Sequence, residues 1–238
     1  MRETSYSKLD SAPIRATIEQ LQDRICERFP KSGLARVAAG LVEVARENEA
    51  VIARLRQPVW WLRIFAFAAL LALLGMAVWI GFSSMKMAEG GSGTLGDLLQ
   101  AIEAAINELI FLGLAVFFLV SLEIRFKRRH ALRMLHQFRS LAHIVDMHQL
   151  TKDPEYVLRP VTKTASSPSR HLTRAELTRY LDYCSELLAL VSKLAALHAQ
   201  DLQDAVVLSA VNDVESLTAD LQRKVWQKIT ILDMSTST

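Results

Sequence analysis

A run of 19 uncharged residues, Ile64 to Phe82, constrains this chain more than any other feature. The hydrocarbon core of a bilayer needs roughly 20 helical residues to cross it. An ordinary surface helix carries one apolar stripe, whereas this run is apolar all round, which a soluble core helix of such length seldom is. Trp60 and Trp61 stand at one end, Trp79 and Phe82 at the other. Rings of that kind favour the headgroup layer, so Trp60, Trp61 and Trp79 are expected as interfacial anchors. Arg63 lies one position outside the run and can extend its guanidinium toward the headgroups. The pattern predicts a first span over about 60–82.

A second span is expected over about 104–124. Its apolar heart, Leu109 to Leu122, is 14 residues long and too short alone. Extending it back to Ala104 reaches spanning length and takes in Asn107 and Glu108. Upstream, over 95–103, the helix reads as amphipathic: Asp97, Gln100, Glu103, Asn107 and Glu108 share one arc, opposite Leu98, Leu99, Ile102, Ile106, Leu109 and Ile110. Thr94 and Asp97 have capping-box spacing, which starts this helix near Leu95. Between the spans, 83–94 holds Glu89-Gly90-Gly91-Ser92-Gly93. It lacks the spacing and the Lys-Ser/Thr pair of a phosphate loop and is expected to be a flexible outer turn.

Basic residues set the orientation. Arg54, Arg56 and Arg63 precede or open the first span, and Arg125, Lys127, Arg128 and Arg129 follow the second. The connecting turn offers only Lys86 against Glu89 and Asp97. By the positive-inside rule both termini face the cytoplasm, and the same cations are placed to meet anionic lipid. A formal net charge of +3 calls for no nucleic-acid partner. Met1 to Asp10 has no hydrophobic core, so no cleavable signal is expected and the first span serves as an uncleaved anchor.

The flanks are rich in strong helix formers, and 9 glycines and 6 prolines are few for 238 residues. The expected fold class is all-α: a transmembrane hairpin (58–124) with coiled-coil-like helical bundles in the cytoplasm. In the N-terminal part, 1–57, Ile14, Ile18, Leu21, Ile25 and Phe29 make one stripe. After Pro30-Lys31-Ser32-Gly33 a second runs through Leu34, Val37, Leu41, Val44, Asn48, Val51 and Leu55, at the spacing of a narrow seam. No Gly or Pro interrupts Leu114 to Asp153, so the second span is expected to continue as one helix over 125–150. The segment 151–171, with three prolines, reads as a linker. Over 172–233, Thr173 and Glu176 have capping-box spacing and two apolar faces follow, as in an antiparallel helical hairpin. A disordered tail, 234–238, is expected to close the chain.

Three segments carry a resemblance: Tyr180-Leu181-Asp182-Tyr183-Cys184-Ser185-Glu186, Arg223-Lys224-Val225-Trp226-Gln227-Lys228-Ile229, and Leu141 to Leu150. They resemble segments of a group of uncharacterised bacterial membrane proteins, to which no activity is assigned. The resemblance covers less than half the chain and implies a bacterial inner (cytoplasmic) membrane location.

No catalytic, cofactor or metal constellation stands out, and no small-molecule substrate is indicated. His136 and His143 lie seven residues apart on one helix face, roughly 10 Å between Cα atoms at helical rise, too far to share one ion. Asp146 is placed to bond His143. Cys184 falls on an apolar face and reads as core packing, and neither it nor Cys26 is expected in a disulfide. Trp226 is expected to pack into the hairpin while Arg223, Lys224 and Lys228 face water. These features point to a non-enzymatic, membrane-anchored helical scaffold that self-associates or holds a protein partner through its cytoplasmic helices. The other reading is an oligomeric pore or membrane effector, with the acidic stripe Asp97, Gln100, Glu103, Asn107 and Glu108 at its outer mouth.

Overall fold

The computed structural model describes residues 8–57, 60–87, 95–158, 165 and 172–234. All regular structure among them is helical: α1 (Ser11–Arg28), α2 (Gly33–Arg56), α3 (Trp60–Met87), α4 (Leu95–Leu150), α5 (Glu155–Leu158), α6 (Arg174–Asp201) and α7 (Ala205–Met234). The chain divides into two compact units. One comprises Met1–Arg56 with Arg128–Thr238, the other Gln57–Lys127. The helical segments flanking the apolar stretch therefore share one bundle.

Local chemistry accounts for the helix ends. Asp10 caps α1 by accepting from the Ala12 amide at 3.2 Å. The chain then turns through Lys31, whose φ of 66° lies in the left-handed region. A non-glycine residue there costs on the order of 1–2 kcal/mol. Ser32 offsets part of this cost, its hydroxyl accepting from the Ala35 amide at 3.1 Å at the start of α2. At α6 the capping box forms in full. The Glu176 amide donates to Thr173 Oγ1 at 3.3 Å, and the Thr173 amide donates to the Glu176 carboxylate at 2.7 Å.

The expected stripes become the core. Ile14, Ile18, Leu21 and Ile25 of α1 are buried, as are Leu34, Val37, Leu41, Val51 and Leu55 of α2. Each such side chain contributes roughly 1.5–3 kcal/mol relative to leaving it in water. The α2 face is broader than the narrow seam expected, since Ala35, Ala38, Val42, Ala45 and Ile52 are buried too. The cause is that α2 packs against both α1 and α6. Phe138 and Met134 of α4 and Leu187, Leu188 and Leu194 of α6 lie in the same core.

Specific polar contacts set the directions. Arg24 pairs with Glu186 at 2.7 Å, the Leu9 amide donates to Gln200 at 2.9 Å, and Phe29 meets Tyr180 edge-on at 5.4 Å. These fix α1 antiparallel to α6. The α6–α7 hairpin is the most extensive helix pair in the bundle, and Gln222 Nε2 of α7 donates to the Ser185 carbonyl of α6 at 3.0 Å. Two anchors hold α7 beside α4 and pointing the same way: Arg128 with Asp204 at one end, Lys228 with Gln149 at the other.

Several expectations change in detail. The first apolar helix continues to Met87, so 83–87 is helical rather than turn, and 88–94 lies outside the described residues. The second apolar helix starts at Leu95 and runs unbroken to Leu150. Its capping box at Thr94 and Asp97 lies outside what is described. Within the linker, Glu155–Leu158 forms a helical turn after Asp153 accepts from the Glu155 amide at 3.1 Å. Met234 still belongs to α7, and the rest of the tail is outside the described residues.

Candidate membrane-contact site

The unit Gln57–Lys127 exposes its apolar residues. Trp60 is 68% exposed, Leu109 73% and Phe117 71%, and Phe65, Val78, Trp79 and Phe111 are exposed alongside them. Soluble monomers rarely show contiguous apolar patches beyond a few hundred Å², and larger ones mark contact with a membrane or a partner. Among the described residues, one helical stretch, within Ile102–Leu158, is long and apolar enough to cross a membrane. Its most apolar window has a mean hydropathy of 2.2, and none of that window is buried. The apolar helical segment Arg63–Met76 is shorter than a crossing requires by itself.

The aromatic anchors divide accordingly. Trp60 and Trp79 stand exposed at either end of the uncharged run of α3, while the side chain of Trp61 lies outside what is described. Of the polar stripe, Gln100, Glu103 and Asn107 are exposed and Glu108 is half-buried. Glu108 Oε1 is covered without a hydrogen-bond partner among the described residues. The Asp97 side chain is outside what is described.

The basic residues differ from one another more than their spacing implied. Arg54, Arg56, Arg125 and Arg129 are exposed. Lys127 and Arg63 converge on a residue that the sequence reading passed over, Glu123. Its carboxylate lies 3.1 Å from Lys127 Nζ and 3.7 Å from Arg63 Nε. This ion cluster ties the start of α3 to α4 within the unit. The sequence held a signal for it, since Glu123 and Lys127 have the i,i+4 order that pairs best on a helix.

Arg128 belongs to the bundle. Its Nε and Nη2 both donate to Asp204 Oδ2, at 2.9 and 2.6 Å. Asp204 Oδ1 accepts from the Val206 and Val207 amides at 3.1 and 3.2 Å, so one carboxylate caps α7 and clamps it to α4. Burial pushes the Asp204 pKa up, but the Arg128 hydrogen bond and the helix amides outweigh it, and the carboxyl sits below its ordinary range.

Two expectations about the C-terminal hairpin reverse. Trp226 does not pack into it and is 62% exposed, because Val225, Ile229 and Leu232 take the core positions around it. Lys228 turns inward instead, its Nζ donating to the Gln149 carbonyl at 2.8 Å and to Gln149 Oε1 at 2.7 Å. Burial lowers its pKa, against the opposing pull of Asp153 and Asp146. Asp146 accepts from Gln149 Nε2 at 2.6 Å, the contact expected from His143. Cys184 is fully buried, and burial pushes its thiol up to about 12, the state of a packing residue and not a nucleophile. Cys26 is free and exposed. Among the described residues no cluster of His, Cys, Asp or Glu is arranged to hold a metal ion.

No family model matches this chain, and neither a curated protein nor a solved structure matches it.

Proposed function

We propose that the chain is a non-enzymatic, membrane-anchored helical scaffold whose bundle gathers copies of itself or a partner at the cytoplasmic face of a bacterial inner membrane. In this reading α3 and the first half of α4 form the two spans, with both termini in the cytoplasm. The observation that carries it is α4. One unbroken helix, Leu95–Leu150, has an exposed apolar stretch followed by residues that are buried in the bundle core. A helix of this kind links an anchor to a bundle within one element. The basic residues Arg54, Arg56, Arg125 and Arg129 then stand where anionic headgroups would meet them. The resemblance of three segments to two-span bacterial membrane proteins agrees with this assignment.

Crosslinking in native membranes, followed by identification of the captured species, tests the reading. The scaffold predicts self-adducts or one recurrent partner. A chain that resists carbonate extraction yet stays monomeric and captures nothing would remove the scaffold and leave a bare anchor.

One observation favours a second reading, an oligomeric pore. Glu108 places a covered carboxylate oxygen at the start of the apolar stretch of α4, and such groups in a span commonly face a cavity or a partner helix. Cation flux in liposomes that falls with Glu108→Ala would support the pore. No flux in the parent protein would reject it.

A further inference from the structure

We infer that the scaffold self-associates through the groove between α4 and the first turns of α7, with a second copy of this chain as its occupant. The inference rests on the membrane-scaffold reading, which makes two copies stand the same way up.

The groove has a volume of about 440 Å³ and is lined by Leu132 of α4 and by Ala205, Val206, Ser209, Ala210 and Asp213 of α7. Its floor is apolar, and Val206 is 47% exposed. Asp213 is the charged residue of its lining, and basic residues lie near Leu132 on α4. Arg129, His136 and Arg139 share the face of Leu132 at the i−3, i+4 and i+7 positions of α4, and all three are exposed. Asp213 stands on the α7 wall. Arg129, Arg139 and Asp213 form no ion pair among the described residues.

The levels of these charges select the partner. Arg128 bonds Asp204 and Gln149 bonds Lys228, so α4 and α7 run side by side in the same direction, level with each other at the Arg128 end. Asp213 lies nine residues beyond Asp204, which places it level with the turn His136–Arg139. Rotating a second copy by a two-fold axis parallel to these helices keeps every residue at its level. It sets each Asp213 opposite the other copy's Arg139 and His136, and brings Leu132 and Val206 together across the axis. A surface complementary to itself is what an isologous dimer needs.

The test uses the full chain in membranes with Cys26→Ser, leaving the buried Cys184. Val206→Cys is predicted to give a covalent dimer with a bis-maleimide, whose spacer bridges the two copies of position 206 on either side of the axis. Glu43→Cys, on an exposed position of α2, is predicted to give background only. Asp213→Arg should lower the Val206→Cys yield about three- to five-fold, the effect of losing an exposed charge pair, and adding Arg139→Asp should restore it. Thermal melts of the same variants exclude unfolding as the cause. A Val206→Cys yield no higher than that of Glu43→Cys overturns the interface, as does a yield indifferent to Asp213→Arg. If an amine-reactive crosslinker still captures oligomers or a partner in that case, only the interface fails. If nothing is captured, the scaffold fails with it.

Discussion

Asn48 Oδ1 lies 2.8 Å from His198 Nε2, and both side chains are completely buried in the bundle core. A polar pair in an apolar interior holds helices in one register, because sliding either helix would strand both groups. Here it locks α2 to α6. Asn48→Ala is expected to cost about 1–3 kcal/mol by stranding its buried partner. A double-mutant cycle with His198→Ala, read by thermal unfolding of the detergent-solubilised chain, should show positive coupling. Additive losses would mean that the contact does not set the register.

His148 lies against the start of α2. A Cβ at Gly33 would fall 2.2 Å from its Cε1 and 2.6 Å from its Nδ1. Burial lowers the His148 pKa, and the neighbouring Arg36 and Lys152 lower it further. The folded state therefore binds the proton less readily than the unfolded chain. The resulting stability is fully present above the ordinary histidine pKa and is lost as pH falls through the depressed folded value. Unfolding measured from pH 7 down to pH 5 should show this decline, and His148→Gln should flatten its part of it. Gly33→Ala should destabilise by about 1–3 kcal/mol through overpacking, despite the better helix propensity of alanine. That loss should shrink in a His148→Ala background.

Asp204 performs two jobs that substitution can separate. Asp204→Asn keeps an acceptor for the Val206 and Val207 amides but removes the charge facing Arg128, whereas Asp204→Ala removes both. Loss of a cap costs about 0.5–2 kcal/mol, so the alanine variant should melt lower than the asparagine variant. Equal melting temperatures would show that the cap contributes nothing.

Trp226, exposed on α7, should tolerate change. Trp226→Ser is expected to alter stability by less than about 0.5 kcal/mol, as for surface positions away from caps and cores. Lys228→Ala, which leaves the Gln149 carbonyl and Oε1 without that donor, should cost more in the same melt.

What could be read from the sequence was local, and what could not was long-range. The stripes Ile14 to Phe29 and Leu34 to Leu55, the Thr173–Glu176 box and the uninterrupted run after Leu114 specify helices through contacts no more than a turn or two away. Those elements stand where their spacing put them. Spacing does not say which helix lies against which. Asn48 counts in the spacing as one more member of its stripe, and its partner lies 150 positions along the chain. Arg128 read as one of four membrane-edge cations because Asp204 is 76 positions away. Trp226 and Lys228 exchanged roles for the same reason. A helical wheel ranks a tryptophan above a lysine for burial, but the position of α4 beside α7 decides which of them meets Gln149.

The central claim, a two-span hairpin with both ends in the cytoplasm, is tested most directly by a membrane-impermeant maleimide applied to intact spheroplasts. Cys26 is exposed on the bundle, and Ser92→Cys in a Cys26→Ser background reports on the segment between the two apolar helices. The account predicts that Ser92→Cys reacts at once, and that Cys26 reacts only after the membrane is permeabilised. Labelling of Cys26 from outside, or of Ser92→Cys only after permeabilisation, would contradict it.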